Sequence, residues 1–138
     1  IQYTPAPNFH DTDSFTYTVG DGEFTDTATV NITIVSVNDL PQAASDSAAT
    51  SAGAIVVINV LDNDSDPVEG NRLTITSVAN PAHGTATTNG TIITYKPDSG
   101  FVGTETFTYT LSDGTDSVTG TVTVTVNPYQ LFIPLVIK

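Results

Sequence analysis

The chain has no cysteine, no methionine and no tryptophan. Without cysteine there are no disulfides, no thiolate nucleophile and no thiolate metal centre. Without methionine even at position 1, it is expected to be a processed or internal piece rather than a primary translation product. The missing tryptophan removes the usual stacking platform of a carbohydrate site. Basic residues are almost absent too: Arg72, Lys96 and Lys138 stand against fifteen acids, for a net charge of -12. Nucleic acid and anionic membrane surfaces are therefore excluded as partners, and divalent cations are the natural counter-ions. No apolar run reaches membrane-spanning length and no signal peptide is visible, so no membrane insertion is expected. Amphipathic helical stretches are lacking as well.

What is present is period-two alternation built from Thr, Val, Ile and Tyr. Phe15, Tyr17 and Val19 share one face, and Ala28, Val30, Ile32 and Ile34 share another, with threonines between them. Both runs read as half-buried antiparallel strands joined through Gly20-Asp21-Gly22-Glu23. Further strands are expected at 55–60, 73–78, 84–88, 91–95, 105–111 and 118–126. Asn89-Gly90 is expected to form a tight turn with positive φ at both residues.

The chain repeats itself. With Ile1 set on Ile93, an offset of 92 residues, no gap is needed through Ile34: Tyr3 falls on Tyr95, Phe9 on Phe101, Phe15 on Phe107 and Tyr17 on Tyr109. Asp21-Gly22 likewise falls on Asp113-Gly114. The expected organisation is the last three strands of an incomplete repeat (1–35), a Ser/Ala-rich linker and start of the next unit (36–54), a complete repeat (55–127), and an apolar C-terminal strand (128–138). In that tail Leu131, Ile133, Leu135 and Ile137 lie on one face, and Phe132 and Val136 on the other.

The segments LDNDSDP (61–67), LTITSV (73–78), AHGT (82–85), FTYTLSDGT (107–115) and TVTVTV (121–126) resemble the tandem bacterial cadherin-like and Ig-like (VCBS-type) repeats of secreted and cell-surface proteins. The resemblance implies an all-β fold, a Greek-key Ig/cadherin-like β-sandwich, in an extracellular, non-enzymatic module for adhesion or spacing. It also implies Ca2+ at acidic clusters near domain ends.

Asp62, Asn63, Asp64 and Asp66 place hard oxygen donors within five residues, and Asp39 beside Pro41 adds another at the expected linker. Asp21 and Asp113 precede glycine in both repeats and read as turn formers. His10 and His83 have no second imidazole at ligand spacing and read as surface or turn residues. No nucleophile, metalloprotease or phosphate-loop motif occurs, so catalysis is not expected.

The functional expectation is an extracellular structural module of a surface fibre, stalk or adhesin that polymerises head to tail. In it the strand 129–138 docks into the incomplete sandwich of the next copy. The alternative is a glycan- or protein-binding adhesive repeat in a longer surface protein, without self-assembly. The expected partners are a second copy or neighbouring repeats.

Overall fold

The computed structural model describes residues 1–68 and 70–129. The expected assembly residues Leu131, Phe132, Ile133, Leu135, Val136 and Ile137 lie outside them. The chain divides into two compact units, Ile1–Asn38 and Asp39–Lys138.

Unit 1 is an antiparallel hairpin of β1 (Asp11–Gly20) and β2 (Thr25–Ile34), paired without a register shift from Asp11↔Ile34 to Gly20↔Thr25. Three strands were expected here, and two are found among the described residues. The reason lies in the counterpart of residues 1–5. In unit 2 that segment is β7 (Ile93–Pro97), hydrogen-bonded on both edges by β4 (Val56–Ile58) and β6 (Gly84–Thr88). Residues 1–5 meet neither partner, and a strand without a ladder does not form.

Unit 2 adds β3 (Asp46–Ser51), β5 (Thr74–Val78), β8 (Gly103–Ser112) and β9 (Ser117–Asn127), with one 3-10 turn at Val60–Asp62. These strands make two sheets, ordered β3-β9-β8-β5 and β4-β7-β6. The chain changes sheet at each step from β3 to β6, and the hairpins β6-β7 and β8-β9 each stay within one sheet. This is an Ig-like Greek-key sandwich. β3 runs parallel to β9 within the stretch expected to be a linker. Its short Ser/Ala sequence carries little strand propensity, and pairing with the long β9 supplies what local preference does not.

Alternation fixes which side chains enter the core. Phe107, Tyr109 and Leu111 of β8 and Val122, Val124 and Val126 of β9 point inward and are buried against Ile58, Val60, Ile75, Ile93 and Tyr95. Each buried aliphatic or aromatic side chain is worth roughly 1.5–3 kcal/mol. The opposite parity pairs threonine with threonine across the hairpin, Thr104↔Thr125, Thr106↔Thr123, Thr108↔Thr121 and Thr110↔Thr119. Such pairs stabilise a sheet while keeping its outer face polar.

Three hairpins share one turn design. Asp21, Asn89 and Asp113 each open a four-residue loop and accept, through Oδ1, the N–H groups two and three residues on, at 2.7–3.1 Å. The next residue in each is glycine, at φ of +100°, +96° and +100°. Asn89 itself does not take positive φ, so the expected two-residue turn is replaced by this longer loop. A side-chain acceptor satisfies the loop amides, and only glycine needs the left-handed region.

Candidate functional site

An acidic cluster surrounds the hydroxyl of Tyr109. The ring is 1% exposed, and its hydroxyl lies 2.8 Å from Asp64 Oδ2 and 3.2 Å from Asp46 Oδ2. The other Asp64 oxygen accepts the Ala44 amide at 2.8 Å, and Asn63 Nδ2 donates to the Ser45 carbonyl. Burial, then the bond to Asp64 and the nearby negative charge, hold the Tyr109 proton far beyond the ordinary phenol range. Asp46 is pushed up, first by burial, and its neighbours Asp64 and Asp62 add to the rise against the Tyr109 bond.

The expected calcium ligands are thus partly gathered. Asp62 is exposed at the end of the 3-10 turn, Asp64 is committed through both oxygens, and Asp66 is buried with Oδ2 accepting the Asn71 amide at 3.2 Å. Asp39 is exposed at the start of unit 2. Among the described residues, no three histidine, cysteine, aspartate or glutamate side chains are grouped to hold a metal ion. Asp46 was missed by sequence reasoning because its neighbourhood read as linker. Its tie to Tyr109 spans 63 residues and leaves no local signal.

A second buried acid anchors a loop. Glu105, 4% exposed, accepts the amides of Ala82 at 2.9 Å and His83 at 3.0 Å, and meets His83 Nδ1 at 2.8 Å. Burial raises its pKa, but these donors outweigh burial and hold it below the ordinary glutamate range. The His83 ring also stacks on Phe101 at 4.4 Å, so this surface histidine does have a partner. The signal was legible: Glu105 sits on the inward parity of Phe107, Tyr109 and Leu111, where an acid must find donors.

The third feature is the open inner face of β1-β2. The apolar inward positions 107, 109, 111, 122, 124 and 126 of β8-β9 recur here as apolar residues and are less covered. Tyr17 is 37% and Val19 57% exposed, against 1% and 0% for Tyr109 and Leu111. Phe15, Val30, Ile32 and Ile34 are only half-buried. Several inward positions depart from the repeat in kind, one of them Asp26 in place of the half-buried Val118. Asp13 replaces Glu105 and binds the Tyr3 hydroxyl at 2.6 Å, whereas the counterpart Tyr95 donates to the His83 carbonyl. Ala28, the register partner of Tyr17, replaces Gly120, the register partner of Tyr109. Tyr3 also keeps its ring contact with Phe15, the counterpart of Tyr95 with Phe107.

The profile of the bacterial Ig domain matches residues 1–33 and 38–126, nearly the whole described chain. The chain belongs to the bacterial Ig domain family. No curated protein matches it. Among solved structures, this Ig chain is similar to the endo-fucoidan hydrolase MfFcnA4 from glycoside hydrolase family 107, at 22% identity and a TM-score of 0.47 over 88% of its length. It is also similar to the endo-fucoidan hydrolase MfFcnA9 of the same family, at 18% identity and a TM-score of 0.43 over 89%. The bacterial Ig chain covers 19% and 23% of those two proteins, about a fifth of their length.

Proposed function

We propose that this bacterial Ig chain is a non-catalytic structural segment of an extracellular stalk, fibre or adhesin, and that β1-β2 is the closing hairpin of an adjoining Ig unit. The observation that carries this reading is the open inner face of unit 1. Phe15, Tyr17, Val19, Val30, Ile32 and Ile34 stand where unit 2 buries Phe107, Tyr109, Leu111, Val122, Val124 and Val126. A two-stranded hairpin with such a face is not independently stable in water and requires a covering layer.

The repeat offset makes the test simple. Placing a copy of residues 39–92 directly before Ile1 regenerates a full 92-residue unit in register, because Ile1 occupies the place of Ile93. The extended chain is expected to show a second cooperative melting transition and to lose the binding of a hydrophobic dye that the open face supports. A face that stays open with that layer attached, whichever residues stand at positions 13 and 28, overturns the reading. Head-to-tail complementation by residues 129–138 of another copy gives a different outcome: the unextended chain itself elutes as concentration-dependent oligomers, with no open face.

Calcium binding is a proposal resting on donor chemistry. The side chains of Asp39, Asp62, Asn63, Asp64 and Asp66 offer hard oxygen ligands, and a cation there must win Asp64 from Tyr109 and Ala44. Binding to the native state raises the melting temperature, by about 2.7 kcal/mol of added stability at a hundredfold excess over Kd. Melts in Ca2+ are therefore expected to exceed those in EDTA by several degrees, and coincident melts remove calcium.

A further inference from the structure

Among the inward positions where β1-β2 departs from β8-β9, which include Asp26 in place of the core-packed Val118, two stand where unit 2 makes its tightest fits: Gly120 beneath the Tyr109 ring of its own hairpin, and Glu105 against the loop at 82–83. In unit 2 a Cβ built on Gly120 falls 2.2–2.5 Å from ring carbons and the hydroxyl oxygen of Tyr109, far inside contact distance. That ring cannot step aside, because it is buried and its hydroxyl is tied to Asp64. Glu105 reaches across to two loop amides and a histidine, 22 and 23 residues away in sequence. An aspartate on the same backbone is shorter by one methylene, about 1.5 Å, and falls short of those donors. Ala28 and Asp13 therefore each spoil a fit that the corresponding unit 2 residue makes. The hairpin keeps apolar residues at Phe15, Tyr17, Val19, Val30, Ile32 and Ile34 and the same Asp-Gly loop, while Asp26 stands where unit 2 has the half-buried Val118.

From this we infer that the inner face of β1-β2 is a docking surface for an Ig half-sandwich, and that Asp13 and Ala28 set which half-sandwich it accepts. The partner is a four-strand segment of the β3–β6 kind that differs from unit 2's own at two points. It receives the tyrosine ring displaced from the strand bearing Ala28, and it leaves Asp13 to the Tyr3 hydroxyl instead of binding a loop through it. In a chain that carries two equivalent hairpins, this difference prevents β1-β2 from displacing β8-β9 on the wrong layer. The inference rests on the closing-hairpin reading and deepens it.

The test uses the same extended chain, in which β1-β2 faces a copy of unit 2's layer. Asp13→Glu with Ala28→Gly is expected to raise the melting temperature of the regenerated unit by roughly 5 °C or more. In the unextended chain the same pair gives no rise, because a glycine in an open hairpin weakens the strand. The reciprocal pair in the unextended chain, Glu105→Asp with Gly120→Ala, is expected to lower the melting temperature of unit 2 by a similar amount. If the regenerated unit closes and Asp13→Glu with Ala28→Gly leaves its melting unchanged or lower, the specificity claim is overturned while the closing-hairpin reading stands. If neither version closes, the closing-hairpin reading falls and takes the specificity claim with it.

Discussion

Gly120→Val is expected to cost unit 2 at least about 3 kcal/mol, at the upper end of what overpacking a core does. Even the first added carbon lies 2.2 Å from the Tyr109 ring, and valine adds two methyls beyond it. The ring is held from three sides: Phe107 and Leu111 flank it along β8, Val118 and Val122 flank its register partner Gly120 on β9, and Asp64 and Asp46 fix its hydroxyl. Either β9 bends away from β8, breaking the register Tyr109↔Gly120, or the ring leaves the core. Expelling a large aromatic forfeits about 3–5 kcal/mol, a large share of the roughly 5–15 kcal/mol that holds a domain folded. Urea unfolding checks this, with Ala28→Gly as the control. That substitution at the matching site in the open hairpin is expected to change stability by no more than about 1 kcal/mol. A Gly120→Val protein as stable as wild type would show that the ring has room the structure does not give it.

Glu105→Ala is the second large effect. Truncation removes a buried carboxylate and takes from the amides of Ala82 and His83 the acceptor they share. Breaking a buried charged group from its donors costs about 3–5 kcal/mol, with each charge-assisted bond worth roughly 1.5–3 kcal/mol. The dependence on pH has a defined sign. The folded state holds the Glu105 pKa below its ordinary value, so its contribution is fully present above the ordinary glutamate range and is lost as pH falls through the folded value. The stability gap between wild type and Glu105→Ala is therefore expected to be widest near neutrality and to narrow on acidification below the ordinary glutamate range. Chemical unfolding across that range reads it. A gap that stays constant or widens on acidification would show that the carboxylate does not act as an ionised acceptor.

Much of this architecture was legible before any coordinates. Parity alone sorted Phe107, Tyr109 and Leu111 from the threonines between them, because a strand sends neighbours to opposite faces. The ungapped repeat identified the hairpin 11–34 and its loop, and Asx-Gly pairs marked all three tight connections. Where the reading fell short, the missing information was non-local. β3 lies in a stretch of serine and alanine with no strand signature, and it exists because β9 offers it a parallel edge. Residues 1–5 carry the sequence of a central strand and do not form one, because a strand is defined by its partners. The acidic loop 62–66 was read by donor type alone, and the bonds of Asp64 to Tyr109 and Ala44 came only with the fold.

The amino-acid order by itself determined the class of fold, the repeat, the inward face of each long strand and the loops between them, since all of these follow from short-range periodicity and turn chemistry. Tertiary structure alone decided which acids are buried and what they hold: Asp46 and Asp64 on Tyr109, Glu105 on the loop at 82–83. Burial and hydrogen bonding depend on partners tens of residues away, and no local pattern encodes where those partners come to rest.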